Sequence, residues 1–162
     1  MSLGVLEGVA YLHEHDPQII HQDIKPANIL LDRYLNPKLC DLGIAKARSF
    51  GVASTTMGVY AAGTPEYMSP ETLLDNKKGT AASDIWSLGL TLTEWFSGRD
   101  PWNLQDQEEE PVTYIRDCMR KQKMPQVLNI CKFPLLLPCL KYDPADRPIA
   151  RNVLRQFQCP SC

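Results

Sequence analysis

Asp23, Lys25 and Asn28 place a carboxylate, an ammonium and a carboxamide within one short loop, and Asp41 heads an Asp-Leu-Gly triplet a little further on. A carboxylate held at a loop end can accept or orient a hydroxyl proton. A lysine two residues on can offset developing negative charge. The Asn28 carbonyl and the Asp41 carboxylate are the hard oxygen donors that magnesium prefers. Any one of these residues alone reads as a solvated side chain or a turn former. The set at its fixed spacing suits chemistry in which a proton is taken, charge is neutralised and a divalent cation is held.

The elements around them must bring these groups together. Ile29-Leu30-Leu31 and Lys38-Leu39-Cys40 read as strands of a hairpin, joined by the turn-forming run Asp32-Arg33-Tyr34-Leu35-Asn36-Pro37, and Ile19-Ile20 reads as a further short strand. Such a hairpin carries Asn28 and Asp41 toward the same end. Leu3, Leu6, Val9, Ala10 and His13 follow helical spacing, so Ser2 to about His15 is predicted as an amphipathic helix stopped by Asp16-Pro17. The stretch from Ala45 to Ala62 is small, polar and glycine-containing, which favours a mobile loop.

Downstream the pattern is helical. Ile85, Leu88, Leu92 and Trp95 form one stripe while Trp86, Leu90 and Phe96 cover the opposite side, which predicts a helix in the middle of a core. Pro111 to Met124 and Ile149 to Gln158 read as surface helices, and Gln105 to Glu110 as a solvated acidic loop. Pro134 and Pro138 break the stretch between Phe133 and Leu140 into short pieces.

The chain has 162 residues, which fits one compact unit burying about 68–70% of its unfolded surface. A net charge of −2 provides no basic field for nucleic acid. No apolar run approaches the roughly 20 residues that span a bilayer, and the first residues lack a secretion signal, so an intracellular, soluble, cytoplasmic protein is expected. The six cysteines are scattered, as free thiols in a reducing compartment would be. Cys159 and Cys162 form a close pair that amounts to half a zinc site at most.

His21-Gln22-Asp23-Ile24-Lys25-Pro26-Ala27-Asn28 and Asp41-Leu42-Gly43 resemble the catalytic loop and metal-binding motif of a eukaryotic protein kinase. Ser69-Pro70-Glu71, Asp84-Ile85-Trp86-Ser87-Leu88-Gly89 and Asp143-Pro144-Ala145-Asp146-Arg147-Pro148 match further kinase motifs in order, so the resemblance covers nearly the whole chain. It implies a mainly α protein kinase-like C-terminal lobe with a small β-hairpin, the N-terminal lobe being absent. Residues 1–158 would be the C-lobe portion of the catalytic domain and 159–162 a tail. Met1 would then cut into a longer element.

The resemblance implies ATP and Mg²⁺ as cofactors and a protein substrate as partner. Asp23 and Lys25 would be catalytic, with Lys25 also near the transferring phosphate. Asn28 and Asp41 would hold metal, and Leu30 and Cys40 would line the adenine cleft. Taken by itself, Cys40 reads as a small buried hydrophobe, though its position would also allow an accessible thiol. His21, Glu71, Asp84 and Arg147 would be structural supports: Glu71 pairs with Arg147, and Asp84 accepts backbone N–H bonds from the loop around His21. Thr64 would bond Asp23 and Lys25 and shape the substrate-binding segment.

Lys25 followed by proline marks serine/threonine kinases. Gln22 stands where most relatives carry the arginine that pairs with a phosphate on the activation segment, a non-RD pattern, and it cannot make that ion pair. Leu42 replaces phenylalanine. Ala27 stands where arginine-directed relatives often carry glutamate, against a strong demand for basic residues upstream of the target. The alternative from another class is a catalytically inactive kinase-like fragment, binding regulatory protein partners through the helix around Tyr114 to Lys123 or through the cleft floor.

Overall fold

The computed structural model describes residues 2–42, the backbone of 46–47, residues 63–129 (of 129 the backbone only) and residues 133–159. Helix α1 (Ser2–Glu14) leads into strand β1 (Ile19–Ile20), and β2 (Ile29–Leu31) and β3 (Pro37–Leu39) form an antiparallel hairpin in which Ile29 faces Leu39. Strand β4 (Lys46–Ala47) pairs antiparallel with β1. The sequence gives no sign of that pairing, and the segment expected as a loop from Ala45 therefore opens with a strand. Its remainder, including Ser54, Thr55 and Thr56, lies outside the described residues.

Helices α2 (Pro70–Leu73), α3 (Ala81–Ser97), α4 (Pro111–Arg120) and α5 (Ala150–Gln158) follow, linked by short 3₁₀ turns. The described structure is mainly helical.

Helix α3 is central because its sequence is apolar nearly all round and its two ends are well stopped. Thr80 accepts from the Ser83 N–H while the Ser83 hydroxyl accepts from the Thr80 N–H, a reciprocal cap that satisfies donors the first turn leaves free. Gly98 closes the helix in the left-handed conformation, with φ of 66°, at no side-chain cost.

Two cores meet on α3. On one side Ile85, Leu88 and Leu92 pack with Val5, Leu6 and Val9 of α1 and Val153 and Leu154 of α5. On the other, Trp86 and Leu90 pack with Met68, Leu73, Trp102 and the α4 residues Ile115 and Met119. Gly89 faces the chain at Cys139 and Leu140 so closely that a β-carbon would lie 2.9 Å from Cys139 Cβ.

Helix α4 ends at Arg120, four residues before the predicted Met124, because Gln122 turns into the left-handed region with φ of 49°. The acidic run before α4 is not wholly idle: Glu110 caps it, its carboxylate accepting from Thr113 N and Oγ1 at 2.9 and 3.0 Å.

Candidate active site

Asp23 is buried at the centre of a clamp. Thr64 donates to its Oδ1 twice, from the backbone N–H at 2.9 Å and the hydroxyl at 2.8 Å. Lys25 Nζ lies 2.9 Å from Oδ2 and also donates to Thr64 Oγ1 at 2.5 Å. Asn28 Nδ2 donates to both the Asp23 carbonyl and Oδ2, at 2.8 and 2.9 Å. Burial disfavours the ionised carboxylate, but the bonds from Lys25, Thr64 and Asn28 outweigh it and hold the Asp23 carboxyl below its ordinary range. The group is an anion kept in place by donors.

The same bonds orient Asn28. Both partners of its Nδ2 can only accept, so the amide nitrogen must face them and the amide oxygen points elsewhere. That oxygen makes no hydrogen bond among the described residues. The Asn28 carbonyl accepts from the Cys40 N–H at 2.9 Å and from Cys40 Sγ at 3.2 Å, which ties the start of β2 to the residue before Asp41. Asp41 is exposed and in the left-handed region at φ of 61°, a conformation aspartate tolerates better than most residues. Asp23 and Asn28 are thus in direct contact, and Asp41 follows the residue bonded to Asn28.

His21 sits fully buried beneath the loop. The Asp23 N–H can only donate, so His21 Nδ1 accepts from it at 3.3 Å, and Nε2 carries the proton donated to the Cys40 carbonyl at 3.1 Å. One imidazole therefore braces the segments bearing Asp23 and Asp41 together. Asp84, 1% exposed at the first turn of α3, accepts from the His21 and Gln22 N–H groups, each at 2.8 Å, and from His13 Nε2 at 2.9 Å. His13 was legible only as a member of the apolar stripe of α1. A histidine on an apolar face is a signal for a buried polar partner, but its identity, 71 residues away, carries no local mark.

The segment from Gly63 to Met68 is fixed to α3 and to Trp102 beyond its end. Ser87 Oγ donates to the Tyr67 carbonyl at 2.7 Å, the Tyr67 hydroxyl to Glu94 at 2.5 Å, and Trp102 Nε1 to the Glu66 carbonyl at 2.8 Å. Burial first, and the Glu94 bond second, push the Tyr67 phenol above its ordinary range. Burial likewise raises the Glu94 carboxyl. Tyr67 and Glu94 escaped the sequence reading because nothing in their spacing announces the contact. Gly63 has φ of 135°, and a β-carbon there would lie 2.8 Å from the Gln22 carbonyl, so glycine is required where this segment crosses the loop that bears Asp23.

Farther out, Arg147 and Glu71 form a bidentate pair, both N–H···O distances being 2.8 Å. The other guanidinium donors reach the Lys141, Ala82 and Tyr142 carbonyls, so all five N–H groups are used. The guanidinium also lies 5.1 Å from the Trp86 ring centroid. Burial opposes ionisation of Glu71, but the Arg147 pair prevails and lowers its carboxyl.

Leu30 is 57% exposed and Cys40 is half-buried, so Cys40 is not the fully buried hydrophobe of the simpler reading. Among the described residues no group of three or more His, Cys, Asp or Glu side chains could hold a metal ion. One carboxylate and one amide oxygen suit magnesium, which takes few protein ligands when phosphate oxygens supply others.

A clamped carboxylate with a lysine and a carboxamide bonded to it is an arrangement that can accept a proton and offset negative charge. The chain matches the protein kinase domain over residues 1–157 and belongs to that family. It is 44% identical over 170 residues to a probable LRR receptor-like serine/threonine-protein kinase of Arabidopsis thaliana, covering 98% of this chain and 18% of that protein. It is 35% identical over 158 residues to mitogen-activated protein kinase kinase 2 of Arabidopsis thaliana, covering 93% and 42%. With MAP kinase kinase kinase wis4 of Schizosaccharomyces pombe it shares 37% over 162 residues, covering 93% and 11%. The chain spans less than half the length of each of these relatives.

Proposed function

We propose that this chain is the C-terminal lobe portion, residues 1–158 with a short tail, of a serine/threonine protein kinase that transfers a phosphoryl group from magnesium-bound ATP to a protein hydroxyl. Protein kinases generally use ATP and Mg²⁺. The observation that carries the reading is the Asp23 clamp: one buried carboxylate bonded at once by Lys25, Thr64 and Asn28.

Asp23 orients the acceptor hydroxyl and takes its proton. Lys25, already on the carboxylate and on Thr64, presents positive charge where negative charge builds. Asn28 and Asp41 would hold magnesium, which when bound would supply positive charge to offset that of the phosphates. Leu30 and Cys40 form the floor of the adenine cleft. His21 and Asp84 act as positioning residues, holding the loop so that little reorganisation accompanies reaction. A cytoplasmic location fits this role; no described helix is long and apolar enough to cross a membrane.

The test is transfer of labelled phosphate from ATP to a mixed serine/threonine peptide library by the full-length protein that contains this sequence. Asp23→Asn should lower the rate about 10²–10⁴-fold, and a tyrosine-only library should remain unlabelled. Undiminished transfer by the variant would remove Asp23 from the mechanism.

Gln22 bears on control. Its side chain lies against the 79 loop, where a β-carbon on Gly79 would fall 2.7 Å from Gln22 Cγ. With no fixed charge at residue 22, Ser54→Ala, Thr55→Ala and Thr56→Ala together should leave most of the full-length activity intact.

A second reading is favoured by one observation: Leu30 and Leu42, which belong to and follow the hairpin that carries Asn28 and Asp41 at one end, are both exposed. In this reading the isolated chain is a non-catalytic module that binds a protein through that apolar floor. Very weak nucleotide binding by the 162-residue chain accords with it; tight magnesium-ATP binding in titration calorimetry would exclude it.

A further inference from the structure

A groove of about 340 Å³ lies between the segment at Gly63–Met68 and helix α4, lined by Gly63, Pro65, Met68, Leu73, Val112 and Arg116. We propose that this groove selects protein substrates carrying an acidic residue, glutamate above aspartate, next to the acceptor hydroxyl, with Arg116 as the residue that reads the charge. The inference rests on the kinase reading for its location. Its chemistry comes from the groove.

The location is set by Gly63. It lines the groove, and the next residue, Thr64, donates to Asp23 Oδ1 from both its N–H and its hydroxyl, so the groove adjoins the carboxylate proposed to meet the hydroxyl. A side chain adjoining the acceptor therefore enters here. Met68 and Leu73, both buried, give the floor an apolar character that suits a methylene stem.

The charge preference comes from Arg116. It is exposed at the rim, one turn along α4 from Val112, and makes no ion pair among the described residues. Its neighbours Arg120 and Lys121 are different: both pair with Asp117. Glu110, whose carboxyl is lowered first by its bonds from Thr113 and only last by Arg116, is committed to capping α4. The stretch 43–62 that precedes Gly63 contains no aspartate or glutamate and cannot bring a carboxylate to the groove. A guanidinium at the lip of an apolar floor matches a side chain with an aliphatic stem and an anionic tip, because it can hold a carboxylate bidentately. Glutamate has the longer stem.

The experiment needs no catalysis. Fluorescence anisotropy would measure binding of short labelled peptides, each with one serine flanked on both sides by glutamate, leucine or lysine, to this chain and to Arg116→Ala and Arg116→Glu. The glutamate peptide should bind about fivefold or more tightly than the lysine peptide. Arg116→Ala should erase the difference and Arg116→Glu should invert it, with unchanged circular dichroism because residue 116 is exposed. For the unaltered chain, raising salt to screen charge should narrow the gap as well.

Equal affinity for the glutamate and lysine peptides, no binding by any peptide, or a preference that survives Arg116→Ala would each overturn the proposal. Phosphate transfer to the same peptides by the full-length protein is read separately. Discrimination in binding without transfer sinks the kinase reading alone, and transfer without discrimination sinks the role of Arg116 alone.

Discussion

Arg147 spends every donor it has, two on Glu71 and three on carbonyls, and this makes the position intolerant of lysine. A lysine has three donors on a point charge and no planar fork, so at least one buried acceptor is left dry. Arg147→Met should cost about 3–5 kcal/mol in urea unfolding, since it strands the Glu71 carboxylate, and Arg147→Lys should recover only part of that. Acid should expose the same dependence. Because the folded carboxyl of Glu71 titrates below its ordinary 4.5, the stability it confers is complete above that value and disappears as pH falls through the lowered one. Urea midpoints measured from pH 7 down to 3 should fall less steeply in Glu71→Gln than in the unaltered chain.

At the scale of elements, α3 depends on its first turn, because Asp84 stands there and everything it holds follows the helix start. Thr80→Ala removes one side of the reciprocal cap and should lower stability by about 0.5–2 kcal/mol in the same assay. Asp84→Ala should cost more, about 3 kcal/mol or above, since three donors in the loop and on α1 lose a charged acceptor.

Legibility in the sequence divides along the same line. Asp23, Lys25 and Asn28 were readable because their spacing places all three in one turn of loop, and Glu71 with Arg147 because each lies in a recognisable motif. The bond from Asp84 to His21 and Gln22 was readable for the same reason. His13 on Asp84, Tyr67 on Glu94 and the β1–β4 pair were not, because each joins segments far apart in the chain through residues that are ordinary in their own surroundings. Local pattern carries what neighbours decide. The early end of α4 belongs to a third kind, a left-handed Gln122 that propensity does not reveal.

For the molecule as a whole, the thiols offer a graded probe. Cys159 is exposed, Cys40 half-buried, and Cys139 is buried in the core with its thiol pushed up to about 12 by that burial. Under native conditions an alkylating agent should modify Cys159 first and Cys40 more slowly. Cys139 should react only with global unfolding, because it needs both access and deprotonation. Peptide mapping by mass spectrometry at increasing urea checks the order; early labelling of Cys139 would mean that the face of α3 at Gly89 opens independently.

Since a carboxylate at residue 84 is what immobilises the backbone at residues 21 and 22, the loop that begins there takes part of its shape from a helix synthesised some sixty positions later. A nascent or proteolysed piece ending ahead of that helix would display the whole signature of the loop in its primary structure and lack the acceptor that holds residues 21 and 22.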